Sequence, residues 1–287
     1  MNNVSYGKQT MVYFGKVTRI ALREKSWKFI IFAAIISFIV ATVTGEDMFS
    51  CFEATKSGFF TLASACIWLG IFNSIQSICK EHDIIRSEYR QGMKLSSYIT
   101  ANVMWQAVLC LVQSIVIFII CICFGFFSSA PEDGVILPAV IEYFITIYLL
   151  TFGSSVLAIM VSSISGTPLT AMTIMPFVLI LQLIMCGVLF ELAEGGVADI
   201  ISNTTFSKWG MSAFGATGDL NSLEYRIMEE VKDNPMMVEA LKDSFPPVDA
   251  YDPTEENLLG SWLMCIVITV ASALISILGL KIKNRDS

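Results

Sequence analysis

The side chains with the most scope for chemistry or binding form one charged segment, residues 79–99, between two strongly apolar stretches. Its basic residues recur every four positions, as they do on one face of a helix: His82, Arg86, Arg90 and Lys94. An apolar stripe lies beside them: Ile85, Tyr89 and Met93. Such a helix suits binding in a groove of another protein. The alternative is a solvated loop whose charges only orient the chain in a membrane.

Two further features bound this segment. Glu81 and Glu88 lie seven residues apart on a third helical face, and Gly92 permits a sharp turn after the helix. We therefore predict a helix within residues 81–93. Ser96 and Ser97 are predicted to cap the next helix, near Tyr98.

Residues typical of enzymes are sparse in the rest of the sequence. There is one histidine, there is no HExxH or GxSxG motif, and the eight cysteines form no CxxC pair. We predict no catalytic residues, no metal site and no cofactor bound by this chain. Glu142 is the clearest carboxylate near an apolar stretch, and it indicates either a proton or substrate site or a carboxylate that packs helices.

The composition indicates an all-α integral membrane protein. Hydrophobic residues make up 55% of the 287 residues, charged residues make up 15%, and the mean hydropathy is +0.68. A bilayer core needs about 20 apolar residues per spanning helix. Six runs meet this requirement: 27–44, 58–79, 98–127, 136–162, 168–192 and 259–281.

The distribution of charge predicts the orientation. Most of the 18 Lys and Arg residues lie in the N-terminal segment, in the loop after the second run and in the C-terminal tail. Because short cytoplasmic loops are rich in Lys and Arg, we expect both termini in the cytoplasm and the acidic loops outside. No motif indicates binding to nucleic acid.

Four regions follow from this layout: 1–26, 27–192, 193–258 and 259–287. The first is predicted to be an amphipathic helix on the membrane surface, because Lys16, Arg19 and Arg23 recur at helical spacing. A solvated basic tail is the alternative. The third is a large outer loop, with a re-entrant segment predicted within 187–206 and an acidic amphipathic helix within 222–243.

A resemblance to a known family covers nearly the whole sequence. Its most specific part is the run EHDIIRSEYRQGMKLSSYITANV, residues 81–103, which resembles the segment between the second and third spans of type 2 ABC exporter permeases, especially their G subfamily. Seven positions carry the match: Glu81, Glu88, Tyr89, Gly92, Ser96, Ser97 and Tyr98. The runs CGVLFEL (186–192) and WGMSAF (209–214) resemble weaker motifs of the same family.

The resemblance implies roles for several sets of residues. The coupling helix, which contacts an ATPase, would use Glu81, Ile85, Arg86, Glu88, Tyr89, Arg90, Gly92 and Met93. The N-terminal connecting helix would use Gln9, Lys16, Arg19 and Arg23. An apolar plug would consist of Val188 and Leu189. Spans two and five would line a substrate cavity with Leu62, Cys66, Leu69, Asn73 and Leu183. The alternative for the span-two face is core packing or contact with lipid.

The implied function is the permease subunit of an ATP-driven exporter in a bacterial plasma membrane. The sequence has no GxxxxGK[ST] loop, so we expect ATP and Mg²⁺ on a separate ABC ATPase subunit. We also expect dimerisation with a second or paralogous permease, and an amphipathic, peptide or lipid-like substrate. The alternatives are a membrane sensor or immunity protein, and a secondary transporter.

Overall fold

The computed structural model describes residues 5–45, 48–190, 195–223 and 248–285, and within these ranges it contains helices and no strand. The α-helices, in chain order, are α1 (Tyr6–Arg23), α2 (Lys28–Thr44), α3 (Phe52–Ser74), α4 (His82–Arg90), α5 (Leu95–Cys123), α6 (Ala139–Ile164), α7 (Pro168–Ile184), α8 (Val197–Ser202), α9 (Phe206–Thr217) and α10 (Glu255–Arg285). Short 3₁₀ turns occur at Cys79–Glu81 and Asp249–Tyr251. The prediction of an all-α protein is confirmed for these residues.

Four helical stretches are long and apolar enough to cross a membrane: Phe52–Arg90, Leu95–Cys123, Ala139–Ile164 and Glu255–Lys283. Helices α1 and α2 qualify as a fifth only when taken together, and they are bent by 67° at the junction between them. Helix α7 is apolar but has 17 residues, fewer than the about 20 that a straight span requires. The described residues therefore contain four or five candidate spans, where the sequence predicted six.

Several predicted helix ends differ from the observed ones. Helix α7 ends at Ile184 rather than near residue 192, and the chain then turns at Gly187, whose φ is +77°. The predicted capping by Ser96 and Ser97 is wrong, because α5 begins at Leu95 and both serines lie in its first turn. By contrast, Thr167 does cap α7: its hydroxyl accepts a hydrogen bond from the Thr170 amide at 3.2 Å.

The centre of the molecule is the contact between α3 and α6. A side chain at Gly70 would overlap the hydroxyl of Ser154 and the carbonyl of Thr151, so the two helix backbones approach closely there. One turn away, the Ser74 hydroxyl donates to the Ser155 carbonyl at 2.6 Å. Small residues at this seam thus allow van der Waals contact and interhelical hydrogen bonds, the forces that hold helices together in lipid.

Helix α9 packs into the same core from the side of the outer loop. The Phe214 ring stacks on Phe59 of α3 at 5.4 Å between centroids. The Gln182 side chain of α7 accepts a hydrogen bond from the Phe206 amide at 2.9 Å, which ties the start of α9 to α7. A re-entrant path for the neighbouring segment stays a prediction. The predicted helix at 222–243 lies almost wholly outside the described residues.

Glu142, at the start of α6, acts as a local anchor for the preceding turn. Its carboxylate is buried and accepts hydrogen bonds from the amides of Ile136 at 2.7 Å, Leu137 at 2.8 Å and Val135 at 3.2 Å. A carboxylate that receives several backbone N–H groups is compensated for its burial. Of the two interpretations of Glu142, this geometry favours the packing carboxylate.

Candidate coupling site

Helix α4 is the core of the candidate site, and its ends agree with the residues found there. Asp83 lies in the first turn and Arg90 in the last, so each charge complements the helix dipole. The helix ends at Arg90, before the predicted limit at Met93. Gly92 has φ +102°, and the amides of Gly92 and Met93 donate to the carbonyls of Tyr89 and Glu88, both at 3.0 Å. This is a Schellman motif, which requires the left-handed conformation that glycine adopts at little cost.

The three residues of the predicted apolar stripe, Ile85, Tyr89 and Met93, do not lie in the same environment. Ile85 and Met93 are buried against the chain itself, whereas Tyr89 is 37% exposed. The buried pair belongs to a group that we call the junction cluster: Ile78, Ile85, Met93, Leu95, Tyr98, Ile99, Ile159 and Leu280. The interpretation that Ile85 and Met93 enter a groove of another protein therefore needs correction, because both side chains are already packed. Ile84, which is 49% exposed and was missed in the sequence, lies on the outward side.

The junction cluster connects α4 to most of the spanning helices. Ile78 follows α3, Ile159 lies on α6, and Leu280 lies near the end of α10. The Tyr98 hydroxyl of α5 donates to the Glu81 carboxylate at 2.8 Å. Helix α4 therefore packs against residues on or next to four long helices: α3, α5, α6 and α10. The packing of Leu280 near Ile85 could not be predicted from the local sequence, since the two residues are almost 200 positions apart.

Helix α1, the predicted connecting helix, also contacts α4 and the turn that follows it. Lys16 forms an ion pair with Glu88 at 2.7 Å. The Gln9 side chain brackets the turn after α4: its amide nitrogen donates to the Gly92 carbonyl at 3.4 Å, and its oxygen accepts from the Lys94 amide at 3.0 Å. The structure thus brings together two of the residues assigned to the connecting helix with two assigned to the coupling helix.

Arg19 and Arg23, the other residues assigned to the connecting helix, are exposed. Tyr13 is packed edge-on against Tyr98 at 5.9 Å between ring centroids. Burial, together with the nearby carboxylate of Glu88, raises the pKa of Tyr13 to about 12, so its hydroxyl stays neutral at physiological pH.

The outward side of α4 is strongly polar. Arg86 and Arg90 line a shallow groove together with Asp83, Ser87 and Gln91. His82 lies at the beginning of this face, where partial burial and the positive charges of Lys283 and Arg86 lower its pKa. The imidazole is therefore neutral at physiological pH, and the positive charge of the face comes from the two arginines.

The residues predicted to line a substrate cavity do not share one environment. Leu62, Cys66 and Leu69 are buried in the core of the chain, so their assignment to an open cavity is wrong for this structure and the packing alternative holds. Asn73 is half-buried and exchanges hydrogen bonds with Gln113 of α5 at 2.6 and 3.1 Å. Leu183 of α7 is half-buried.

Sequence reasoning missed the exposed face of α3, which carries Trp68 and Phe72. Helix α7 also exposes large apolar side chains, among them Phe177 at 70%. Both helices are apolar all round, so the sequence offered no periodicity from which to tell the two faces apart. Of the plug residues, Leu189 is exposed and Val188 is half-buried; Gly187 precedes them in a left-handed conformation.

Comparison with known proteins identifies the family of this chain. The model of the family described as ABC-2 type transporter matches residues 12–217, a range that contains the second half of α1, the segment with α4, and α9. The chain is also similar to the ABC transporter ATP-binding/permease protein Rv1747 of Mycobacterium tuberculosis, with 25% identity over 159 residues. That stretch is 55% of this chain and 18% of the relative. The chain belongs to the ABC-2 type transporter family, and it is a membrane-embedded ABC transporter permease.

Proposed function

We propose that this permease works as a dimer with an ABC ATPase on a separate subunit, and that it exports an amphipathic, peptide or lipid-like substrate. One observation carries the proposal: α4 is clamped on its inner side by the junction cluster and by Lys16, while Ile84, Tyr89 and Arg90 are exposed. A helix that packs against the spans on one side and is exposed on the other can bind the ATPase and pass its movement on to the spans.

The Mycobacterium relative is an ABC transporter ATP-binding/permease protein, and this pairing of two functions supports an ATP-driven partner for the present chain. In the proposed assembly the ATPase subunits hold ATP and Mg²⁺, and this chain holds neither. The positive groove beside Arg86 and Arg90 would meet acidic side chains of the ATPase, with Ile84 and Tyr89 as apolar contacts.

The proposed mechanism is alternating access between two packed states. ATP-driven closure of the ATPase pair displaces α4, and the junction cluster passes the displacement to α3, α5, α6 and α10 as one body. Such a transition needs a rigid element whose two positions a ligand can bias. The Schellman turn at Gly92 and the two hydrogen bonds of the Gln9 side chain fix the C-terminal end of α4, so that α4 moves together with the helices around it.

The proposed arrangement in the membrane has six spans. Helix α2 would be the first and the short α7 the fifth, with α3, α5, α6 and α10 between and after them. Both termini would lie in the cytoplasm of a bacterium and the acidic loop outside its plasma membrane, as the distribution of Lys and Arg favours. The exposed aromatic faces of α3 and α7 would meet a second permease and enclose the substrate path, with Val188 and Leu189 as its outer plug.

The test is to co-express the full chain with candidate ABC ATPase subunits from the same organism, and to measure both co-purification and ATP turnover in lipid. We expect the charge reversal Arg90→Glu and the substitution Ile84→Asp to lower both at least about tenfold, because each alters the exposed side of α4 without touching the junction cluster. Lys281→Glu is the matched control, since it reverses an exposed charge near the end of α10.

Two outcomes would overturn the proposal. Unchanged assembly and turnover in both α4 variants would show that the ATPase does not bind there. A chain that performs its function without any ATPase would instead point to a sensor, an immunity protein or a secondary transporter.

A further inference from the structure

A cavity of about 280 Å³ lies where α1, α2, α3 and α5 meet, near the elbow between α1 and α2. Its wall combines three kinds of side chain. The apolar ones include Ile20, Phe29 and Phe72; the amides are Asn73, Gln76, Asn102 and Gln106; the charged ones are Glu24, Lys80 and Glu81. Glu81 and Asn73 were also assigned roles by the family resemblance, but the space between these side chains has no part in the proposed coupling mechanism.

Gln106 is the residue of the cavity that most favours a bound ligand. Its side chain is 3% exposed, and its buried Oε1 accepts no hydrogen bond from the described residues. Gln113, two turns along α5, shows the usual solution: its amide bonds to Asn73 and to the Phe29 carbonyl. An unmet acceptor in a buried site is unfavourable, so a donor that enters the cavity and reaches Gln106 is bound favourably.

A loosely held pair of opposite charges lies at the rim. Lys80 and Glu24 are 3.9 Å apart and about half exposed, whereas Lys16 and Glu88 are in direct contact at 2.7 Å. The wider gap leaves both charges able to bind other groups. Together with Glu81, the cavity carries one positive and two negative side chains, which favours a ligand with both an ammonium and an anionic group.

The position of the cavity indicates a lipid rather than a water-soluble ligand. The elbow is a Schellman turn with Lys25 at φ +61°, and it is followed by Trp27, which is exposed. Trp105 lines the cavity itself. Tryptophan is enriched at the level of lipid headgroups, so these two rings and the charged rim place the opening at that depth.

We propose that this cavity binds the headgroup of an ethanolamine phospholipid. The ammonium donates hydrogen bonds to Gln106 Oε1 and to the carboxylate of Glu24, and the phosphate pairs with Lys80. Phe29, Phe72 and Ile20 contact the glycerol and the start of the acyl chains. A choline headgroup does not fit the same site, because its quaternary nitrogen has no N–H to donate.

The test uses the full chain in detergent with equal amounts of phosphatidylethanolamine, phosphatidylcholine and phosphatidylglycerol that carry the same acyl chains. Native mass spectrometry counts the bound lipids. We expect retained phosphatidylethanolamine to exceed phosphatidylcholine at least about fivefold, since charge-assisted hydrogen bonds separate the two. Gln106→Leu should bring this ratio close to one, because it removes the acceptor that only the ethanolamine ammonium can use. Lys80→Gln should lower the retention of both lipids, because both carry the phosphate. Lys281→Gln, at an exposed site outside the cavity, should change neither.

Thermal unfolding shows whether each variant folds. Gln106→Leu replaces an unsatisfied buried amide with an apolar side chain of similar size, and Lys80→Gln changes an exposed side chain, so at least one of them reports on a folded protein. Equal binding of the two lipids to the unaltered chain, a preference that survives Gln106→Leu, or retention of both lipids that Lys80→Gln leaves unchanged overturns the proposal. Displacement of the lipid by free phosphoethanolamine at similar concentration would assign the site to a soluble zwitterion instead. Because no ATPase takes part, neither result bears on the coupling proposal.

Discussion

Gly92 adopts a backbone conformation that side chains with a Cβ rarely reach. Its φ of +102° allows the amides of Gly92 and Met93 to close the end of α4. A Cβ at this position would meet no atom within 4 Å, so the cost of replacing it is conformational rather than steric. The value of the glycine therefore lies in the turn that fixes the end of the coupling segment.

We expect Gly92→Ala to destabilise the protein by about 1–2 kcal/mol, and so to lower the midpoint of thermal unfolding by a few degrees. Gly166→Ala is the matched control, because its Cβ also meets nothing within 4 Å but no positive φ is required there. Equal midpoints for the two variants, measured in the same detergent, would contradict this account of the turn.

At the scale of elements, the close contact of α3 and α6 decides how the spans pack. Gly70 lies against Ser154 and the Thr151 carbonyl, with the Ser74–Ser155 hydrogen bond one turn further along. The sequence predicted that both segments are helices, but it did not indicate which face of each meets the other. Leu62, Cys66 and Leu69 recur at helical spacing as a cavity face would, yet they pack against the core, and Trp68 and Phe72 are exposed instead.

We expect Gly70→Ala to cost about 1–3 kcal/mol of unfolding free energy, because the added methyl group forces the two backbones apart. Gly260→Ala, in α10, adds the same group where nothing lies within 4 Å, and it should be neutral or slightly stabilising, as alanine favours helix. Unfolding in detergent, followed by circular dichroism, measures both. Equal changes in stability at the two positions would contradict the role of the close contact between α3 and α6.

At the scale of the whole molecule, a single chain leaves large apolar faces uncovered. Trp68 and Phe72 on α3 and Phe177 on α7 are exposed although α3 is otherwise well buried. Lipid can cover such faces on a spanning helix, so exposure alone does not separate a dimer contact from a lipid contact. The difference is measurable, because only a dimer contact brings two copies of one residue close together.

We expect Phe177→Cys to yield a dimer with a short bis-maleimide cross-linker in membranes, and Ile119→Cys on α5, which is also exposed, to yield none. The background carries Cys51→Ser and Cys123→Ser, since these are the cysteines exposed in the part of the chain that the structure describes. Cross-linking at residue 119 but not at residue 177 would place the second permease on a different face.

The sequence by itself determined the class of the protein and the position of the charged segment that we propose as the coupling site. Hydropathy indicates membrane helices because the bilayer sets a minimum apolar length, and the charged run at 79–99 stands out against them. Local features such as the turn at Gly92 could also be predicted from the sequence, because they depend on a few adjacent residues.

Only the tertiary structure decided which side of each helix is covered. Ile85 and Met93 face the interior, and Gln9 and Lys16 contact α4 although they lie about 80 residues away in the chain. Gln106 Oε1 has no hydrogen-bond partner among the residues that the structure describes. The physical reason is that spans apolar on every side carry no periodic signal. Their faces are chosen by close packing and by hydrogen bonds between residues distant in the chain.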